Sequence, residues 1–256
     1  NFSGVGEDEY FVDGMTESLI TDLAKVPGLF VIARNSMFQY KGKAVKVKNV
    51  GQELNVRYVL EGSIQRSGTK VRVNTQLIDA MTESHIWSDR YDREVSDIFA
   101  LQDDLSMKFV QALQVRLTSE DQLRLKSGRT TNYEAQDLYW KGLQHSRKLT
   151  KPDNDLAIQY LEQALEKDAK FASAHATLAS TLRFRYAFGF ERKPEVLVRA
   201  KEHTVRALEI SPMHPEGMLM QGLLHREEGR LKEAIETMLK DYQANPNDAQ
   251  CLYYLG

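Results

Sequence analysis

The sequence predicts an α/β domain with a small mixed or antiparallel sheet and covering helices, followed by an all-α superhelix of helical hairpins. Three observations carry that prediction. Gly222 recurs as Gly256 after 34 residues, each time behind a helix-forming apolar segment, which is the signature of a tandem helical repeat. Apolar residues before Lys25 recur every four positions, whereas from Arg57 they recur every two, so helix gives way to strand. With 256 residues, 42% hydrophobic and 27% charged, the chain has room for two medium domains, placed at residues 1–128 and 129–256.

In the first domain, Phe11, Met15, Leu19 and Leu23 form a stripe with Val12 and Ile20 beside it, so Tyr10 to Lys25 reads as one amphipathic helix. Pro27 and Gly28 end it. Leu29 to Ala33 is short, apolar and partly β-branched, as a buried strand would be. A second helix is expected over Val47 to Asn55. From Arg57, Tyr58, Leu60, Gly62 and Ile64 share one face, and Ser67-Gly68-Thr69 supplies a hairpin turn. Val71, Val73, Thr75 and Leu77 alternate with polar residues, and a third strand runs through His85 to Arg93. These three strands form an antiparallel meander, covered on one face by the earlier helices and by a later one that carries Ile98, Leu101, Leu105 and Phe109.

In the second domain, Ala234, Met238 and Pro246 give the small, bulky and helix-ending order that two closely packed antiparallel helices need. This stretch resembles the tetratricopeptide (TPR) repeat. Ala157, Leu161 and Ala164, and again Ala200, Thr204 and Ala207, reproduce the spacing, so three repeats are expected with the start of a fourth. Their first helices are read as Ala135 to Arg147, Ser173 to Arg185 and Glu216 to Glu228. Lys148 to Asn154 and Ala187 to Pro194 read as lengthened turns, the second of them aromatic. Asp241 stands where the repeat usually has a small residue. The resemblance implies a concave groove lined by Tyr139, Leu143, Ala176, Ser180, Arg183, Leu219, Leu223 and Arg226, with a protein or peptide partner in it. The alternative for the apolar members is plain core.

The blocks FVDGMTE, GLFVIARNS, YKGKAVKV, RYVLEGS and DIFALQD, in that order between Phe11 and Asp103, make the first domain similar to the TolB amino-terminal-like domain. That domain occurs fused to TPR repeats in bacterial proteins, often downstream of a class III adenylate or guanylate cyclase domain. The resemblance implies a further strand ahead of Asn1, and a regulatory, non-enzymatic region of a larger signalling protein whose cyclase output would act as a dimer, hence a homodimer as a second partner expectation. A cell-envelope adaptor of TolB type and a small-molecule or nucleotide sensor are the alternatives. Because Asn1 is not Met and Gly256 falls inside an opening helix, the chain reads as a piece of a longer protein.

Several chemistries are disfavoured. A formal net charge of −2 supplies no field for nucleic acid, and the one basic run, Lys41, Lys43, Lys46 and Lys48, reads as a solvated edge. Cys251 is alone, so no intrachain disulfide or CxxC site exists, which fits a cytoplasmic location, with the periplasm as the alternative. The six histidines show no i, i+4 pair, so no metal site is expected, nor any cofactor. Ser67 to Lys70 fits S-x-x-K without its companion motifs. Asp13 and Glu17 read as a solvated face. Trp87, Arg90 and Tyr91 are weighed as a stacking site and read as sheet packing. No catalytic residues are assigned, and no apolar run has the length of a membrane span.

Overall fold

The computed structural model describes residues 8–244, 251, 253 and 254, and the chain divides into two compact units, 1–121 and 122–256. In the first unit, α1 (Glu9–Ala24) buries Phe11, Met15 and Leu23. The predicted strand over Leu29 to Ala33 does not form: the segment is irregular and Phe30 is 74% exposed. Its β-branched content favours extended backbone, but a strand needs a ladder partner, and the described sheet has only three members. A short helix that the apolar period did not reveal, α2 (Arg34–Phe38), follows at once. Arg34 lies over the Phe38 ring at 3.6 Å and its Nε stands 3.2 Å from Glu17, while Lys41 reaches Asp13 and Glu9. Asp13 and Glu17 thereby tie the irregular segment back to α1.

The next helix, α3 (Val47–Leu54), ends at Asn55 in the left-handed conformation, φ 51°. Three antiparallel strands follow in the order β1-β2-β3: β1 (Tyr58–Ser67), β2 (Lys70–Asp79) and β3 (Ser84–Glu94). Gly68, at φ 60°, makes the first turn, which a β-carbon would strain. The register sets Ile64 opposite Val73 and Val73 opposite Tyr91, and these three are buried on one face along with Val71 and Leu77. That face is the one the alternation predicts, with one departure. Val59 is buried as well, on the opposite face, where it clusters with Val50 of α3 and Ala80. The start of β1 is therefore covered on both sides. Helix α4 (Ile98–Ala112) packs on β3 and against α1, burying Ile98, Leu101 and Leu105.

A further helix, α5 (Ser119–Lys126), spans the division between the units and is capped by Thr118 and Asp121, each receiving the other's backbone N–H. After α5, the described residues of the second unit form three helical hairpins in tandem. Helices α6 (Tyr133–Ser146) and α7 (Lys151–Lys167) make the first; α8 (Ala172–Ala187) and α9 (Pro194–Ile210) make the second; α10 (Pro215–Glu227) and α11 (Leu231–Ala244) make the third. Side chains of Asn132, Thr150 and His214 cap α6, α7 and α10. Ala157, Ala164, Ala200 and Ala207 are fully buried, which lets the paired backbones approach.

The first lengthened turn is partly taken up by α7, which begins at Lys151, whereas residues 188–193 of the second stay non-helical between α8 and α9. Helices α7 and α9 have 17 residues each against 14 in α11, and α8 has 16 against 13 in α10. Proline stands in the first turn of α7, α9 and α10, where its fixed φ suits the helix start. The aromatic insertion becomes a ring cluster: Phe184 and Phe188 stack at 4.0 Å and Phe190 meets Phe184 edge-on at 5.9 Å, with Phe188 exposed. Asp241 is fully buried in α11. The expected opening of a fourth repeat lies largely outside the described residues; of it, Cys251 is buried against Leu219, Leu223 and Met238.

Candidate partner groove

The eight residues expected to line a groove all fall on α6, α8 and α10, the first helices of the three hairpins. Burial divides them into two sets. Leu143, Ala176, Leu219 and Leu223 are buried, so they form packing floor rather than surface. Leu219 and Leu223 share a cluster with Ala179 and Cys251, which is why α10 needs them apolar. Tyr139, Ser180 and Arg183 are partly exposed and Arg226 is exposed.

Beneath and beside the accessible set lie polar residues that the repeat register did not single out, of which Thr177 is buried. Thr177 of α8 donates to the Glu216 carboxylate of α10 at 2.8 Å. Burial, and then the nearby Glu216 charge, push the Tyr139 phenol well above its ordinary range, so it stays a neutral hydroxyl. Tyr139, Thr177 and Glu216 thus place one polar group from each first helix in one neighbourhood. Further along, Arg183 of α8 pairs with Glu227 of α10 at 2.8 Å, and the Arg226 guanidinium lies 5.2 Å over the Tyr254 ring. The sequence signal for Thr177 and Glu227 was present, since each sits one place after a lining position, Ala176 and Arg226. Glu216 was hidden as an ordinary first-turn acid after Pro215.

Elsewhere, two arrangements imitate chemistry without performing it. The Ser173 hydroxyl lies 3.0 Å from His214 Nε2, as a nucleophile and base would. His214 Nδ1, however, accepts the Gly217 N–H, so Nε2 carries the proton; Ser173 accepts from it and donates to the Gly128 carbonyl. No basic nitrogen faces the hydroxyl. On the first unit, Arg90 is separated from Trp87 and Tyr91 by strand alternation, so the three do not converge. Arg90 instead borders a shallow depression of about 750 Å³ on the polar sheet face, with Glu61, Ser63, Asn74, Gln76 and Ser88. Asn74 donates to Ser63, and Gln76 to Glu61, across β1 and β2. Among the described residues no group of three or more His, Cys, Asp or Glu side chains could hold a metal ion, and no helix is long and apolar enough to cross a membrane.

Fold and surface define a helical-repeat module joined to a small α/β unit. No family model matches the chain. It is 46% identical over 179 residues to a protein of Rhizobium meliloti (strain 1021) named "Putative adenylate cyclase 3". That match covers 70% of this chain and 30% of the relative, so the chain spans less than a third of that protein's length. Among solved structures it is similar to the first TPR of Spaghetti (RPAP3) bound to an HSP90 peptide, at 17% identity, covering 48% of this chain and 91% of that one; the TM-score, 0.40, is too low to carry an argument.

Proposed function

We propose that this chain is a non-enzymatic, partner-binding regulatory region of a larger signalling protein of the adenylate cyclase type, in which α6, α8 and α10 hold an extended protein segment. The observation that carries the reading is the set of polar side chains that α6, α8 and α10 leave at least partly exposed, Tyr139, Ser180, Arg183, Glu216, Glu227 and Arg226, with buried Thr177 bonded to Glu216 beneath them. Stacked hairpins with buried small residues hold such groups at fixed spacing, and a preformed surface lowers the ordering cost of binding. The 46% identity to a protein with a cyclase name supports the signalling context. The α/β unit, similar in its sequence blocks to the TolB amino-terminal-like domain, would transmit or sense, with the junction at 128/129 beside Gly128.

Structure refines which arginine tests the groove. Reversing the charge of Arg183 would set two carboxylates against each other at Glu227, so it costs stability as well as binding. Arg226 is exposed and its reversal leaves the fold alone. Selection of a random-peptide display library on the chain should enrich binders that Arg226→Glu weakens at least tenfold with an unchanged melting temperature. Failure to enrich any peptide, or enrichment indifferent to both Arg226→Glu and Tyr139→Ala, contradicts the groove.

A small-molecule sensor remains the second reading, favoured by the polar depression around Asn74 and Arg90. A thermal-shift screen against nucleotides and metabolites tests it, since any ligand that binds the folded state alone raises the melting temperature.

A further inference from the structure

The second hairpin contains a histidine pair that neither the groove nor the repeat packing requires. His175 on α8 and His203 on α9 face each other with Nδ1 to Nδ1 at 2.9 Å. His175 Nε2 lies 3.2 Å from the Ala169 carbonyl oxygen, which only accepts. That contact fixes both tautomers: His175 carries its proton on Nε2, its bare Nδ1 accepts, and His203 donates from Nδ1. His175 is 8% exposed, so no water readily replaces the bond.

We propose that this pair is a proton-released latch between α8 and α9, which loosens the second hairpin as the medium acidifies. A first proton can enter on His203 Nε2 and leave the bond intact. A second must enter on His175 Nδ1, and then two N–H groups point at each other across 2.9 Å. The charged groups facing the pair also resist protonation: Arg206 and Arg199 on α9 oppose it, while Asp168 in the turn before α8 favours it at His175. Burial is the largest cause at both rings, and it brings His203 down to about 4 from an ordinary 6.5. Both histidines are therefore neutral in the closed hairpin and free to charge in an open one. The open form binds more protons below pH 6.5, so closure weakens as pH falls from 6.5 towards about 4.

The neighbouring hairpin supplies the control. His145 meets the Asp153 carboxylate at 2.8 Å, and hydrogen bonds from Thr150 and His145 hold Asp153 down at about 2. Its contribution to closure therefore begins to fall only once pH drops below the ordinary carboxylate value of 3.8, towards about 2. The consequence for partner binding, that acid displaces Ser180 and Arg183 from the groove wall, rests on the groove reading; the latch does not.

Hydrogen exchange of the whole chain, corrected for intrinsic rates, measures it without any partner. The opening constant of α8 and α9 should rise about tenfold between pH 6 and pH 5, and that of α6 and α7 less than twofold. His203→Gln keeps a donor towards His175 but cannot titrate, so the acid slope of the second hairpin should fall. Equal slopes in the two hairpins, or an unaltered slope in His203→Gln, overturn the latch. Should that variant fail to fold, NMR titration of the wild-type imidazoles decides: titration of both His175 and His203 at the ordinary 6.5 is the contradicting result.

Discussion

In the α/β unit the tightest approach is between backbones: a β-carbon on Gly62 of β1 would overlap the Asn74 carbonyl oxygen across the ladder. In the repeat unit the corresponding approach is to side-chain ends. A β-carbon on Gly142 would stand 2.8 Å from Leu161 Cγ, and one on Gly222 would stand 2.8 Å from Met238 Cγ. Strands paired by main-chain hydrogen bonds cannot separate without losing the ladder, whereas a methionine can change rotamer. One unit therefore holds rigid small-residue positions and the other yielding ones, although both read as glycine in sequence.

Five substitutions sharpen or break this comparison, each read as a change in unfolding free energy by denaturant titration, with exchange mapping to assign it to a unit. Phe11→Ala should cost the most, about 3–5 kcal/mol, because a fully buried ring leaves a cavity under α1. Gly62→Ala should follow at about 2–3 kcal/mol, since the clash is with backbone. For Gly222→Ala the expected cost is about 1 kcal/mol, as Met238 repacks. Equal losses at Gly62 and Gly222 would remove the distinction. At the bottom, Arg183→Ala should lose about 1 kcal/mol through its half-buried pair with Glu227, and Arg226→Ala less than about 0.5 kcal/mol.

Much of the fold was legible because it depends on period. The spacing of Phe11, Met15, Leu19 and Leu23 gave α1 within one residue at each end, and alternation through Val71 to Leu77 gave both β2 and its buried face. What stayed hidden depends on partners that sequence distance conceals. Leu29 to Ala33 has strand composition and no ladder, and Arg34 to Phe38 is helical without an apolar stripe, held by Glu17 and by the ring beneath Arg34. The candidate groove residues were half legible as surface or core. Register put the eight residues on α6, α8 and α10, where they lie, but Leu219 and Leu223 read as surface until Cys251 is seen packed on them. The Thr177 to Glu216 bond, across 39 positions, leaves no periodic trace.

The measurement that bears most directly on partner binding is hydrogen exchange of the chain with and without a selected peptide. Slowed exchange at α6, α8 and α10, centred on Tyr139, Thr177 and Arg226, is the predicted result. Slowing confined to α7, α9 and α11, or to the open face of the sheet, would contradict it.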